Sequence, residues 1–553
     1  MAQSQSQTAR EQLVSVRETV ESIWIAIILA FVLRAFVLEA FVIPTGSMAP
    51  RLMGQHWQFD CPSCGYHYAF GIPSGGGLPP DISVKLSGPP ARCPNCQFDR
   101  LFTQGGEYAF SGDRVLVLKY LYRFADPQPW DVVVFKNPQD NEQNYIKRLI
   151  GLPGQMIQIV HGDIFYRQLE QDLDGDRVID EADFKDGRAD QLAPWTILRK
   201  SPKTQQVMWQ VVFDNDYQPD PGLWEKGQSR PWVFPWQSAK PDSRWDTHAQ
   251  GNRVFHCKAG QEGEELHFQA DRERFMPIYA YNQPNPRMYD PDHEINNDLE
   301  LSFMFVPRSP QAGVGLHLSS FQDHFYAWVS ADGECKLLHG QQRPNGRIAM
   351  DEKPWLFDKL PGPMELGKGY QVALMHVDHA LRLLIEGKVV LETNGSELYP
   401  AQIEQMIQQA QQRVPEPKVG IVAGQGEFEL RHVALNADVY YTNTFTIDQG
   451  GNNTNLRGHA TTGNPIVLRK FLDQPDLDEF FVLGDNSPSS RDSRMWGFHA
   501  ASMRPGYRDG TVPRYNLIGR AFFVYWPGGY RLPLPGLDKL PIVPNVGRMR
   551  RIR

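Results

Sequence analysis

Three stretches of this 553-residue chain carry side chains able to do acid–base or nucleophilic chemistry. The first, Phe41-Val42-Ile43-Pro44-Thr45-Gly46-Ser47-Met48-Ala49-Pro50, offers the Ser47 hydroxyl. Gly46 leaves the backbone there free to turn, and Pro44 and Pro50 stiffen its flanks. By residue type alone, Ser47 reads as a turn residue, and only the later stretches change that. The second, Tyr145-Ile146-Lys147-Arg148-Leu149-Ile150-Gly151, has the apolar content of a strand. Lys147 and Arg148 then point to opposite faces, so one of them faces inward. A buried, unpaired lysine is costly and tends to lose its proton; an ordinary edge lysine is the alternative. The third, Gly484-Asp485-Asn486-Ser487-Pro488-Ser489-Ser490-Arg491-Asp492-Ser493-Arg494-Met495-Trp496-Gly497, is dense in short polar residues. Such density marks a loop held by its own hydrogen bonds.

Two further sets have metal-ligand character. Cys61-Pro-Ser-Cys64 and Cys93-Pro-Asn-Cys96 are two turns separated by 28 residues. Each can present two thiolates, and together they make a structural four-cysteine zinc site of ribbon type. Two disulfides are the alternative in an oxidising compartment. In Asp172-Leu-Asp174-Gly-Asp176-Arg-Val-Ile179-Asp180-Glu-Ala-Asp183, carboxylates fall at positions 1, 3, 5, 9 and 12, as in a calcium loop of EF-hand or dockerin type. Arg177 stands where that loop has glycine, and position 12 is Asp, so a solvated acidic loop is the alternative. Cys257 and Cys335 stand alone and could pair with each other.

The elements that must position these groups are mostly strands. With 43 prolines and 47 glycines, the chain is rich in loops, and its length allows several domains. A net charge of -8 argues against nucleic acid as the main partner. The run IWIAIILAFVLRAFVL from Ile23 to Leu38, interrupted only by Arg34, is long enough to span a bilayer. Arg34 could snorkel to the interface or pair with Glu39. Arg10 and Arg17 lean the N-terminus towards the cytoplasm, leaving the rest outside.

The pieces RAFVLEAFVIPTGSMAP, GDRVLVLKY, DVVVFKNP with YIKRLIGLPG, GDNSPSSRDSRMWG and VPRYNLIGRAFFVYWP together resemble type I signal peptidases. These are membrane-anchored serine–lysine proteases that remove export signals. The resemblance implies that Ser47 is the nucleophile and Lys147 the general base. It implies that Ser490 orients the lysine, and that the Thr45 hydroxyl and the Ser47 N–H form the oxyanion hole. Asp485, Asp492 and Arg494 match positions that hold the site's architecture. It implies no catalytic cofactor, and exported precursors with A-x-A cleavage sites as substrates. Localisation would be a bacterial inner membrane, crossed once, with the catalytic domain on the extracytoplasmic side. Gln155 departs from the family's more common Asp.

The family passes quickly from the lysine to the GDN stretch; here 336 residues intervene. From about 195 to 440 they read as short alternating strands of an antiparallel sandwich (LELSFMFVP, GVGLHLSS, HFYAWVSA, YQVALMHV). LRLLIEGKVVLET and FELRHVALNADVYYT are similar to concanavalin-A/laminin-G-like jelly rolls, which implies a glycan or protein partner.

The expected architecture is therefore mainly β. A cytoplasmic segment (1–21) leads into a transmembrane anchor (22–43). The catalytic core is split over 44–54, 106–168 and 441–535. Into it are inserted a zinc ribbon (55–105), a calcium-loop linker (169–194) and a jelly-roll sandwich (195–440). A basic tail (536–553) could touch lipid or simply be solvated. The competing readings are a binding protein on a degenerate peptidase scaffold, and a self-cleaving serine–lysine regulator. The second is disfavoured by the anchor and by the lack of a DNA-binding region.

Overall fold

The computed structural model describes residues 17–29, 31–71, 91–100, 110–169, 171–185, 193–227, 232–240, 242–258, 263–277, 293–393, 398–400, 402–410, 412–449, 452–497, 507–528 and 545–553. The loop expected at 72–90, residues 1–16 of the cytoplasmic segment and residues 536–544 of the tail lie outside them.

Valine-rich stretches with alternating burial form the sheet that carries the site. Its strands run in the order Leu38–Val42, Arg114–Leu118, Leu517–Trp526, Val132–Asn137, Asp140–Gly151, Glu479–Leu483 and Val512–Pro513, with Arg550–Arg551 pairing beside Leu517–Trp526. Val115, Val117, Val132, Val134 and Val524 bury one face around Ile43, Met48 and Leu52. Val133, Phe135, Leu149, Phe480, Val482 and Trp496 bury the other. Each such side chain contributes about 1.5–3 kcal/mol on leaving water.

The hairpin Gln155–Val160/Asp163–Gln168 starts a second sheet of four strands, completed by Thr196–Ile197 and Ile466–Val467. The sandwich accordingly begins later than residue 195: its first strand is Gln210–Asp214. It consists of two eight-stranded antiparallel sheets, centred on Leu299–Pro307 and Phe428–Ala437 in one and on Gly313–Ser320 and Val419–Ala423 in the other. Inward residues of both, among them Leu301, Phe303, Leu316, Phe325, Ile421 and Leu430, make one core.

Three expectations change. Residues 17–29 are helical, and Ile23, Trp24, Ile25, Ile28 and Leu29 are exposed on them. Among the described residues, no helix is long and apolar enough to cross a membrane. The last part of the expected anchor, Leu38–Val42, is a strand paired with Arg114–Leu118. Phe41 packs on the valine core, and Glu39 pairs with Lys119 at 3.1 Å rather than with Arg34. Edge pairing satisfies this backbone where a helix would have left Phe41 unburied. The end of the tail is not solvated chain: Arg550 donates to the Arg51 carbonyl, and Arg148 reaches the Arg553 carbonyl at 3.1 Å. Cys257 and Cys335 are buried free thiols on opposite sheets of the sandwich, so they do not pair.

Candidate active site

Ser47 sits in a turn that the valine core fixes. Ile43, Met48 and Leu52 are almost wholly buried around it. Ala49 N–H donates to the Gly46 carbonyl (3.0 Å) and Leu52 N–H to that of Met48 (2.8 Å). Lys147 arrives from the strand Asp140–Gly151, in register with Val133. Its Nζ donates to Ser47 Oγ at 2.6 Å and to the Ile146 carbonyl at 3.1 Å. The Tyr145 ring lies 5.2 Å from Nζ. Lys147 is 4 % exposed and Ser47 9 %.

Burial drives the Lys147 pKa down from its ordinary value to about 8; the carboxylates of Asp492 and Asp485 oppose the shift without cancelling it. An amine of that pKa is about one-tenth neutral at pH 7, against about one in 2,500 for an exposed lysine. The hydroxyl therefore has a base within proton-transfer distance, and the arrangement suits acyl transfer without histidine.

Lys147 and Arg148 both face inward, which corrects the expectation that only one would. The reason is that the strand is covered on both faces, by separate apolar clusters. Arg148 is matched by Asp485 through two bonds of 2.7 and 2.6 Å. Asp492 and Arg494 form a second buried pair at 2.8–2.9 Å, and Asp492 also accepts from Gly484 N–H at 3.0 Å. Arg494 continues to the Thr442 carbonyl (2.9 Å) and to Ser487 Oγ (2.8 Å). The loop so braced grips the Ser47 turn through Asn486, whose Nδ2 donates to the Gly46 carbonyl and whose N–H donates to that of Ser47, both at 3.0 Å.

Ser490 is buried beside this grip. Its Oγ has no hydrogen-bond partner among the described residues, so the expected bond to Lys147 is not made. A Cβ on Gly484 would fall 2.2 Å from that oxygen and 2.5 Å from the Ser47 carbonyl, so glycine is needed there for the loop to approach. Thr45 is exposed at the mouth of the turn. Sequence reasoning missed Arg148 as the partner of Asp485, and it missed Asn486 altogether. The Arg148 signal was present in the apolar residues on both sides of Lys147-Arg148, Tyr145-Ile146 and Leu149-Ile150, as in a strand buried on both faces.

The four cysteines converge. Cys61 Sγ lies 3.6 Å from Cys96 Sγ, and Cys64 Sγ 3.7 Å from Cys93 Sγ. All four are buried free thiols whose sulfurs fit around one ion. A disulfide needs about 2.0 Å, whereas four sulfurs at about 2.3 Å from a tetrahedral ion stand roughly 3.8 Å apart. The observed spacing is that of a metal site. Asn95 ties this knuckle to the sandwich, accepting from Asp214 N–H (2.6 Å) and donating to the Tyr217 carbonyl (3.0 Å). In the acidic loop, Asp172, Asp174 and Asp183 form a cluster that could share an ion; Asp176 and Asp180 are not part of it. Those two accept instead from Val178 N–H (2.8 Å) and Ala182 N–H (2.7 Å).

The family described as signal peptidase, peptidase S26, matches residues 108–206 and 432–526, which include Lys147, Asp485, Ser490, Asp492 and Arg494 but stop short of Ser47. The signal peptidase I of Rickettsia prowazekii is 35% identical over 74 residues, 12% of this chain and 28% of that protein. A probable signal peptidase I-1 of Synechocystis is 39% identical over 61 residues, 10% of this chain and 31% of that one. The chain thus spans less than a third of the length of these relatives. Among solved structures, the carbohydrate binding module CBM66 from Bacillus subtilis matches 37% of this chain and 96% of its own, at 9% identity and a TM-score of 0.22. The VIP36 exoplasmic/lumenal domain in its Ca2+/Man-bound form matches 41% and 92%, at 7% identity and a TM-score of 0.23.

Proposed function

We propose, for a chain that belongs to the signal peptidase, peptidase S26 family over residues 108–206 and 432–526, that it is a membrane-anchored serine endopeptidase removing signal peptides from exported precursors. The observation that carries this reading is the 2.6 Å contact between Ser47 Oγ and a buried Lys147 Nζ. Neutral Lys147 takes the hydroxyl proton as Ser47 Oγ attacks the scissile carbonyl. The developing oxyanion is met by the Ser47 N–H and the Thr45 hydroxyl. The ammonium then protonates the leaving amine, and an ester to Ser47 remains. Water, deprotonated by the same lysine, hydrolyses that ester and releases the mature protein's signal as an acid. Ser490, with its free acceptor capacity, holds the ammonium in line when substrate closes the site. The exposed apolar residues 23–29 supply the attachment to the membrane.

The test is incubation of the solubilised protein with a precursor bearing an A-x-A site. Cleavage after the second small residue supports the reading. Its absence with the fold intact leaves a binding protein on a peptidase scaffold.

Because only the neutral amine is a base, kcat/KM is expected to rise with pH through an apparent pKa of about 8. It should fall about tenfold per unit well below that value. A pH–rate profile checks this; a flat profile between pH 6 and 9 contradicts the assignment of Lys147.

The ion at the four cysteines is zinc, in a closed structural role. Purified protein is expected to hold one zinc per chain, and Cys93→Ser to lose it, as read by elemental analysis. Loss of that ion should also loosen the Asn95 contacts and raise protease sensitivity near Tyr217. The calcium reading of the acidic loop narrows to Asp172, Asp174 and Asp183, whose carboxylates lie close enough to share an ion.

A further inference from the structure

A second acidic cluster lies where the sandwich meets the peptidase core. Asp163 opens the strand Asp163–Gln168, in the core. Asp298 directly precedes the sandwich strand Leu299–Pro307, and Asp378 sits in the tight turn between Tyr370–Val377 and Ala380–Ile385. One carboxylate oxygen from each lies within 4.8 Å of the others. A single ion with oxygen ligands at about 2.4 Å can therefore touch all three.

The local charge does not balance. Lys200 Nζ bonds to Asp378 and reaches Asp438 at 2.8 Å. His376 Nδ1 stands 3.3 Å from Asp298. Lys200, with His376 and His379, thus faces four carboxylates. With Asp378 buried and Asp163 and Asp298 half-buried, surplus charge of this kind is met by a proton or by a cation.

A separate observation favours the cation. Asn297, next to Asp298, is only 7 % exposed, and its Oδ1 accepts no hydrogen bond among the described residues. It lines the same cavity of about 270 Å³ as Asp163 and Asp298. An unmatched neutral oxygen gains nothing from a shared proton between two aspartates, but it completes the oxygen shell of an ion. The cavity leaves room for the waters that a calcium shell of six to eight oxygens requires.

We propose that Asp163, Asp298 and Asp378, with Asn297 Oδ1, bind a calcium ion that ties the inserted sandwich to the peptidase core. An oxygen-only donor set of irregular geometry selects calcium over zinc, and over magnesium with its octahedral demand. Asp163 comes from the core and Asn297, Asp298 and Asp378 from the sandwich, so the ion stabilises the joined state and not either part alone. The site is independent of the peptidase reading: it does not require Ser47 to be a nucleophile.

The experiment uses the full chain carrying Asp172→Asn and Asp174→Asn, which removes the acidic loop as a competing site. Calcium chloride is titrated at constant ionic strength, with magnesium chloride as the control. Bound calcium is read by equilibrium dialysis and the unfolding midpoint by differential scanning fluorimetry. The expected result is about one calcium per chain and a saturable rise in midpoint that magnesium does not reproduce. Asp163→Asn on the same background should abolish both. That variant relieves carboxylate repulsion and so keeps the fold; Asp298→Asn is the second check. No calcium binding on this background overturns the proposal and leaves a proton as the neutralising group. An unchanged response in Asp163→Asn overturns it equally.

Discussion

Ser47→Ala is expected to lower precursor cleavage by at least about a thousandfold, and Lys147→Met by a similar factor. The two losses should not add in the double variant, because the two side chains act as one unit. Ser47 is held by buried neighbours, not by its own hydroxyl, so removing Oγ leaves the turn in place. The two variants should nevertheless differ in stability. Lys147 is wholly buried and its pKa falls from 10.5 to about 8. The folded state thus binds that proton less tightly than the unfolded chain does. Stability is lost as pH drops from about 10.5 to about 8, and the full deficit, roughly 3 kcal/mol, persists below that. Methionine fills the same volume without the charge. Lys147→Met is therefore expected to be inactive yet more stable than the parent at pH 7, with the gain vanishing above pH 10.5. Denaturant unfolding at pH 7 and pH 10.5 measures this. A variant that is both inactive and less stable at pH 7 would show that the lysine mainly supports the fold.

Much of that site was legible because local chemistry and local pattern coincide. Ser47 follows Gly46 between two prolines, and Lys147 lies with Arg148 between apolar residues on both sides. The loop 484–497 is dense in capping and turn residues, and the structure brings all three together. The cysteine turns were legible for the same reason, since a thiolate pair two residues apart needs only one tight turn. The sandwich showed itself through period-two alternation, as in Leu299–Pro307, where alternate residues are buried.

What was not legible depends on partners far along the chain. The alternation at Lys147-Arg148 implied one buried charge. The second became admissible only because Asp485, 337 residues away, matches it. Leu38–Val42 reads as the end of an apolar helix until the strand Arg114–Leu118 offers its free edge. The basic tail reads as solvated until the carbonyls of Arg51 and Arg553 are seen beside Arg550 and Arg148. The long insertion is tolerated for a related reason. Its far end returns to the site directly: the Tyr441 N–H meets the Gly162 carbonyl at 3.4 Å, and Arg494 holds the Thr442 carbonyl. The loop 484–497 is thus fastened to the point where the sandwich rejoins the core, and the insertion's length costs little closure entropy.

That fastening makes Asp485→Ala the most damaging single change expected outside the dyad. Arg148 and Asp485 are 1 % and 0 % exposed and share two bonds of 2.6–2.7 Å. Removing the carboxylate strands a guanidinium that cannot shed its proton, with only the carbonyls of Trp130 and Arg553 to receive it among the described residues. The expected cost is about 3–5 kcal/mol in denaturant unfolding. The pair as such is worth less than that, because both ions were desolvated to make it. Arg148→Met with Asp485→Leu should therefore recover much of the loss in stability. It should not recover activity. Asp485 precedes Asn486, whose two bonds fix the carbonyls of Gly46 and Ser47. Without the ion pair that seats this loop, the Asn486 bonds that help keep Ser47 Oγ at 2.6 Å from Lys147 Nζ are loosened. A shift of even 1 Å there costs roughly a hundredfold in rate. A double variant that regains both stability and cleavage would mean that the apolar turn around Met48 positions Ser47 unaided, and that the Asp485 loop serves only the fold.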